Sequence, residues 1–224
     1  MSQSTPEPDK ADSPSPVAYP DLLAGQQLPP PPKQERSRRK RDALLQSALV
    51  LFAKQGFEET SIEDIAIHAG VAVGGFYQHF ASKRQLLLVL MDRFLQEASE
   101  IKPPFAANLQ DIQAIIAQAV LQGLQVDWSY AGAYRAWREA AIQDRELRVM
   151  NVQIERWFAK QLEFLFRLLL QFPGARQEVD VATLAWEICL LFLRLAEVPI
   201  EDPHAVNALV ASLTHLIYHG LFAD

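Results

Sequence analysis

Residues 69–87, AGVAVGGFYQHFASKRQLL, decide the fold class of this chain. Gly74 and Gly75 lie within a segment that otherwise predicts a short helix over 72–79, although a glycine in a helix interior costs about 1 kcal/mol relative to alanine. Gly70 ends a preceding helix, so two short helices are separated by a tight turn. That arrangement is a helix-turn-helix, whose second helix can enter the major groove of DNA. The missing side chains of the two glycines would let this helix approach DNA closely.

The sequence before this stretch predicts the two helices that precede the recognition helix. The first runs from about residue 38 to residue 56, because apolar residues recur with helical spacing. They are Leu44, Ala48, Leu51 and Phe52. The second begins at one of two overlapping capping boxes, Thr60 with Glu63 or Ser61 with Asp64.

A basic cluster lies just before the predicted first helix. The whole chain carries a net charge of −6 and has a pI of about 5.4, so the overall charge does not indicate nucleic-acid binding. Within residues 33–41, however, six basic residues are opposed by Glu35 alone. They are Lys33, Arg36, Arg38, Arg39, Lys40 and Arg41. The cluster is either a solvated charge run or, as its position favours, a contact to phosphates or to the minor groove.

The stretch from Arg41 to Leu87 resembles the DNA-binding domain of the TetR family of bacterial transcriptional regulators. Its pattern is ALLQSALVLFAKQGFEETSIEDIAIHAGVAVGGFYQHFASKRQLL. The residues that carry the resemblance are Ala48, Phe52, Gly56, Thr60, Ile65, Ala66, Gly70, Val71, Gly74, Tyr77, His79, Phe80, Lys83 and Leu87. The resemblance implies a larger, all-helical C-terminal domain that binds small ligands and dimerises. The alternative is a three-helix unit of an unrelated bundle.

Residues of two kinds on and near the recognition helix are predicted to contact double-stranded DNA. Tyr77, His79 and Lys83 can donate to phosphates, whereas Gln78, Tyr77 and the methyl groups of Val73 can face base edges. Position 72 is alanine where the family often has a small hydroxyl residue, which removes one possible helix cap. The full predicted set is Arg38, Arg39, Lys40, Arg41, Thr60, Ser61, Val73, Gly74, Gly75, Tyr77, Gln78, His79 and Lys83.

The remainder of the chain also predicts helices, so the fold class is all-α. Ser82 should begin a long fourth helix that ends before Pro103, with Asp127 and Asp144 as further helix starts. The later helices are expected near 108–125, 128–142, 145–171, 178–197 and 203–221. The predicted division is a disordered proline-rich tail (1–32), a helix-turn-helix domain with a basic arm (33–82) and a helical ligand-binding and dimerisation domain (83–224). The tail holds nine of the fourteen prolines.

The C-terminal domain predicts an apolar pocket and a dimer interface. Aromatic residues are abundant here, and they either form ordinary core or line a site for an apolar or aromatic effector of unknown identity. The candidate lining is Trp128, Tyr134, Trp137, Arg138, Trp157 and Phe158. The family resemblance implies a homodimer through the last two helices. The candidate interface is Leu184, Ile188, Leu191, Leu195, Leu209, Leu213, Leu216 and Ile217.

Several classes of protein are disfavoured. The lone Cys189 excludes an internal disulfide, and neither a secretory signal nor a membrane-spanning run is evident, so a cytoplasmic protein without membrane contact is expected. His215 and His219 have metal-ligand spacing but lack a third ligand nearby, so neither metal nor cofactor is predicted. The sequence contains no catalytic motif, so it is not predicted to be an enzyme. The sequence therefore predicts a repressor that a small ligand releases from a palindromic operator, or a ligand-independent DNA-binding or architectural protein of the same fold.

Overall fold

The chain folds into α-helices throughout the part described by its structure, a computed structural model. The structure describes residues 18–30, 32–101, 111–196, 200 and 202–223. These residues form nine helices: α1 (Glu35–Gln55), α2 (Ile62–His68), α3 (Val73–Tyr77), α4 (Lys83–Ser99), α5 (Ile112–Ser129), α6 (Ala131–Gln143), α7 (Arg145–Leu169), α8 (Val181–Leu195) and α9 (Pro203–Leu221). Between them the described segments contain no sheet, only an isolated bridge between Ala175 and Phe222. The all-α prediction is confirmed.

Helix boundaries follow the predicted ones to within a few residues, with one helix start placed wrongly. Asp144 caps α7 as predicted, because its side chain accepts from the backbone N–H groups of Glu146 and Leu147. Asp127 instead lies inside α5, whose N-cap is Asp111. The third helix is shorter than the predicted 72–79, in keeping with an N-cap, Ala72, that has no side chain able to accept a hydrogen bond. The predicted start at 108 lies outside the described residues.

The basic cluster is helical rather than an arm ahead of the first helix. Because α1 begins at Glu35, residues 36–41 form its first turns. Glu35 pairs with Arg38 at 3.0 Å and with Arg39 at 3.1 Å, the i,i+3 and i,i+4 spacings that a helix brings together. These pairs are exposed and contribute little to stability, so both guanidinium groups stay within reach of a phosphate.

Part of the predicted disordered tail packs against the helices. Leu22 is only 1% exposed and belongs to the main hydrophobic core. The backbone carbonyl of Gln27 accepts a hydrogen bond from the Gln85 side chain at 3.0 Å, and the ring of Tyr19 meets Trp157 edge to face. The structure therefore differs from the prediction over 18–30, because a few apolar side chains of this mainly polar segment pack against the core. Residues 1–17 and 31 lie outside the described part.

Two buried clusters form the core. The first joins the helix-turn-helix to α4, α6 and the first half of α7, and it includes Phe52, Phe76, Leu87 and Trp137. The second joins α5, the end of α7, α8 and α9. Because the first cluster runs across residues 82 and 83, the helix-turn-helix shares its core with the C-terminal helices.

Helices α1 and α6 touch at their backbones. A Cβ atom built on Gly132 would lie 2.1 Å from the carbonyl oxygen of Leu49 and 3.0 Å from the backbone nitrogen of Ala53, so only glycine permits this approach. One turn later, Arg135 donates to the carbonyl oxygen of Ala53 at 2.8 Å. Helix α6 therefore packs against the end of α1 and donates a hydrogen bond to a carbonyl group that α1 itself leaves unpaired.

We expect Gly132→Ala to lower the free energy of unfolding by about 1–3 kcal/mol, because the new methyl group forces two backbones apart. Urea unfolding measures the change. Gly74→Ala is the matched control, since nothing lies within 4 Å of its Cβ position. That control should be neutral or stabilising by up to about 1 kcal/mol. Equal stability of Gly132→Ala and the parent chain would contradict the close contact.

Candidate nucleic-acid interface and ligand cavity

The second helix of the motif begins at a capping box, one of the two that the sequence offered. The Ser61 hydroxyl accepts from the backbone N–H of Asp64 at 2.9 Å, and the Asp64 carboxylate accepts from the backbone N–H of Ser61 at 3.0 Å. The hydrogen bond from the Ser61 hydroxyl holds the pKa of Asp64 below its usual value. Gly70 then takes a φ of 64°, the left-handed conformation that the turn into α3 requires.

Thr60 does not face DNA, which corrects the prediction. Its side chain is fully buried, and its hydroxyl donates to the carbonyl oxygen of Gly56 at 2.6 Å. The residue therefore fixes the turn between α1 and α2, whereas Ser61 beside it is exposed.

The recognition helix α3 has a buried side and an open side. Phe76 is fully buried, while Val73 and Tyr77 are 40% and 54% exposed. Gly74 and Gln78 are also exposed. A Cβ on Gly75 would lie 2.7 Å from a methyl group of Val71, whereas one on Gly74 would meet nothing within 4 Å. Packing therefore explains Gly75, and only Gly74 leaves open space on the outer face.

His79 is buried rather than displayed to DNA, contrary to prediction. The residue is 6% exposed and lies beside the ring of Phe80. Burial lowers the pKa of His79, and the positive charges of Arg41 and Lys40 lower it further. The imidazole is therefore neutral at neutral pH, and the positive charge at this edge of the interface comes from Lys40 and Arg41.

Lys83 forms hydrogen bonds with the turn after α1, whereas the sequence predicts a contact to a DNA phosphate. Its ammonium group donates to the carbonyl oxygens of Phe57, of Thr60 at 2.7 Å and of Glu58 at 3.3 Å. It also lies 4.3 Å from the centre of the Phe57 ring. Burial lowers the pKa of Lys83. These contacts turn the ammonium toward the protein.

The Lys83→Met variant should lose about 1–3 kcal/mol of unfolding free energy, because three carbonyl groups lose a charged donor. Chemical denaturation measures this loss. Lys54→Met removes an exposed lysine at the end of α1 and should change stability by no more than about 0.5 kcal/mol. If Lys83→Met kept the parent stability and lost only DNA affinity, the phosphate contact would be right and our correction wrong.

A cavity of about 460 Å³ lies between α5, α7 and α8. Five aromatic side chains border it: Trp157, Phe158, Phe164, Phe166 and Phe192. Its volume is within the range of sites that hold small molecules.

Two of the six predicted pocket residues, Trp157 and Phe158, line the cavity, and the other four do not. Trp137 is fully buried in the first core cluster, where its indole N–H donates to Asn151 at 3.1 Å. Tyr134 is also buried there. Trp128 donates to the backbone carbonyl of Leu195 at 3.1 Å, and Arg138 is exposed. Aromatic content located the correct region, but tertiary packing decides which rings meet the empty space.

Sequence reasoning missed Asp127 as a cavity residue. It is 9% exposed, and burial raises its pKa to about 8. A usable signal was present in the sequence, because Asp127 continues the stripe of Ile116, Val120 and Gly123 on α5. An acidic residue at that spacing lies on the apolar face of the helix. Such a residue either destabilises the core or has a function.

The exposed apolar faces of α8 and α9 only partly coincide with the predicted dimer interface. Leu191 and Leu216 are 38% and 49% exposed, as an interface in a single chain requires. Leu184, Leu195 and Leu209 are half-buried. Ile188, Leu213 and Ile217 are instead buried in the second core cluster, which corrects their assignment. Trp186 and Leu190, which the sequence analysis did not name, are exposed on α8.

Two further findings concern the described residues only. The rings of His215 and His219 are 4.2 Å apart, but within the described ranges no group of three or more His, Cys, Asp or Glu residues could hold a metal ion. None of the helices described is both long and apolar enough to cross a lipid bilayer.

Comparisons with known proteins agree with this geometry. The family described as bacterial regulatory proteins, tetR family, matches residues 44–90. A transcriptional repressor KstR2 of Mycolicibacterium smegmatis is 43% identical over 67 residues, which are 30% of this chain but only 32% of that relative's length. A repressor of the same name from Rhodococcus jostii is 36% identical over 177 residues, covering 75% of this chain and 81% of the relative.

Solved structures show the same fold over most of the chain. The fatty acid degradation regulator FadR of Bacillus halodurans superposes with a TM-score of 0.65 at 18% identity, over 80% of this chain and 94% of that chain. The prediction that the chain is not an enzyme is confirmed, because these relatives are named as regulators of transcription. On the identity and coverage of the Rhodococcus jostii relative, the chain belongs to the TetR family of bacterial transcriptional regulators.

Proposed function

We propose that the chain is a homodimeric, cytoplasmic repressor that binds a palindromic operator and leaves it when an apolar or aromatic small molecule fills the cavity. In this proposal residues 33–82 bind DNA, and residues 83–224 bind the effector and dimerise. The observation that supports DNA binding is the exposed face of α3, which lies opposite the buried Phe76. A short helix with a buried anchor and a small-residue outer face suits the major groove.

The chemistry of that face favours a mixture of methyl, amide and phenol contacts. Gln78 can read a base edge by hydrogen bonds, and Val73 can contact a thymine methyl group. Tyr77 can donate to a phosphate, while Gly74 keeps the backbone close to the groove. The basic first turns of α1 supply the charge, with Lys40 and Arg41 near enough to His79 to influence its pKa.

The homodimer would form through the outer faces of α8 and α9. Trp186, Leu190 and Leu191 lie exposed on one helix and Leu216 on the other. Exposed apolar residues grouped on adjacent surfaces mark an interaction site, and a two-fold interface uses the same patch twice. Such a dimer presents two recognition helices to half-sites about 34–36 Å apart.

The cavity is the feature that favours a ligand-responsive repressor over an architectural protein of the same fold. The cavity is partly open to the surface and its wall is mostly apolar, so a small apolar molecule can enter it and bury surface there. To change occupancy of the operator strongly, a ligand must bind the released form more tightly than the DNA-bound form by several kcal/mol. Helix α6 directly follows the cavity helix α5, and its Arg135 and Glu139 side chains hydrogen-bond to the end of α1 and to the turn after it.

Selection of bound fragments from the source genome by the purified protein tests the proposal. We expect a palindrome, with an affinity that falls steeply as salt rises because phosphates are neutralised on binding. Recovery of random fragments only would contradict specific repression. Unchanged operator affinity across a panel of apolar compounds would favour the ligand-independent alternative.

Lys40→Gln should weaken operator binding and reduce the slope of log affinity against log salt by about one, the value for one lost phosphate contact. Lys54→Gln is the matched control, since it removes the same charge from the other end of the same helix. Equal salt slopes for the two variants would argue against a phosphate contact at Lys40.

A further inference from the structure

One ionisable side chain distinguishes the cavity from an ordinary apolar void. Among the described residues that line it, Asp127 is the only acid, and no lysine, arginine or histidine joins it. Ser99, Gln161 and Cys189 are the other polar side chains, and the remaining wall is apolar or aromatic. The site therefore offers a bound molecule a large apolar surface and few polar anchors.

Asp127 has no hydrogen-bond partner for its carboxyl group among the described residues. Other helix-associated aspartates in this chain do: Asp111, Asp144, Asp180 and Asp202 each accept from backbone N–H groups at a helix start. Asp127 instead lies within α5, nine-tenths buried, at the edge of the empty space. Thr214 Oγ1, not Asp127, is the fully buried side-chain atom without a partner among the described residues, so the Asp127 oxygens reach the open space of the cavity, where a ligand can form a hydrogen bond with them.

The stripe on which Asp127 lies builds the cavity wall. Ile116, Val120, Gly123 and Asp127 follow one another at spacings of four, three and four along α5, so all four point to one side. Gly123 lets the ring of Phe192 approach, since a Cβ there would lie 3.2 Å from it. The acid is therefore at one end of an otherwise apolar wall.

Arg138 on α6 acts on the Tyr134 phenol, but burial alone raises the pKa of Asp127, and no positive charge opposes that shift. Tyr134 on α6 and Cys189 on α8 interact electrostatically with it, and Glu155 on α7 faces the same two residues. Burial raises the pKa of both the Tyr134 phenol and the Cys189 thiol, so both are uncharged at neutral pH. With its own pKa raised to about 8, the Asp127 carboxyl is mostly protonated at pH 7 and presents an O–H donor.

We propose that the cavity takes an uncharged, largely apolar molecule whose single carbonyl or ether oxygen accepts a hydrogen bond from the Asp127 carboxyl group. This inference rests on the ligand-responsive function proposed above and names its ligand class. An anionic ligand would meet no cation in the described wall and would be repelled by any ionised Asp127. A cationic ligand would have to lose its hydration and ionise Asp127, an exchange that burial seldom repays.

Three probes with one chain length and different head groups test the proposal: dodecan-2-one, dodecylammonium and dodecanoate. Calorimetry and quenching of tryptophan fluorescence report binding to the full-length protein without DNA. We expect the ketone to bind most tightly and its affinity to fall about tenfold between about pH 7 and pH 9, as the carboxyl group ionises.

Three variants separate the hydrogen bond from simple shape. Asp127→Leu removes the donor at similar volume and should weaken ketone binding about tenfold. Asp127→Asn keeps an N–H donor that does not titrate, so it should retain most of the affinity and lose the fall at high pH. Asp111→Asn makes the same chemical change at the start of the same helix, outside the cavity, and should leave affinity and pH profile unchanged.

The outcomes distinguish this inference from the repressor proposal. Tightest binding of dodecylammonium or dodecanoate, or undiminished ketone affinity in Asp127→Leu, overturns the inference and leaves operator release untouched. Ketone binding with the expected variant pattern, but with no release of selected operator DNA, supports the inference and contradicts the repressor proposal.

Discussion

The turn after α1, residues 56–60, is the constraint on which the rest of the structure depends. Gly56 takes a φ of 85°, so the chain reverses there at little strain only because the residue is glycine. The Glu139 carboxylate on α6 accepts from the backbone N–H groups of Phe57 at 2.7 Å and Glu58 at 3.0 Å. Lys83 on α4 donates to carbonyl groups of the same turn. Helix α6 therefore accepts hydrogen bonds from the N–H groups of this turn, and helix α4 donates hydrogen bonds to its carbonyl groups.

This arrangement ties the DNA-binding helices to the rest of the protein. Arg84, beside Lys83 on α4, pairs with Asp144 and Glu146 at 2.6 Å each, where α6 gives way to α7. The guanidinium of Arg84 helps to hold the pKa of Asp144 below its usual value, against a partial burial that acts the other way. A shift of α6 relative to α4 would change contacts at the turn and at this ion pair together. Since α6 follows α5 directly, the helix that carries Asp127 is one short link away from them.

Features written in local sequence could be predicted, and features that depend on distant partners could not. Helix periods and caps are local, so Ser61, Asp144 and the extents of α6 to α9 came close to the observed ones. Lys83 was misassigned because its acceptors, carbonyl groups of the 56–60 turn, lie more than twenty residues away in sequence, and Thr60 because its burial depends on the packing of the whole domain. Leu22 was overlooked because composition averages a segment, whereas burial selects single side chains. Trp137, predicted to line the pocket, is buried in the core, and Asp127, predicted to start a helix, lines the cavity, because tertiary packing decides both positions.

The most direct test of the account measures the distance between the two recognition helices of the proposed dimer. A spin label at Gln78→Cys, exposed at the end of α3, reports this distance by pulsed electron resonance. The native Cys189 should stay unlabelled, since it is buried and burial raises the pKa of its thiol to about 12. We predict a distribution near one DNA turn, about 34–36 Å, that shifts when dodecan-2-one saturates the cavity. An unchanged distribution at saturation would contradict coupling between the cavity and the DNA-binding face.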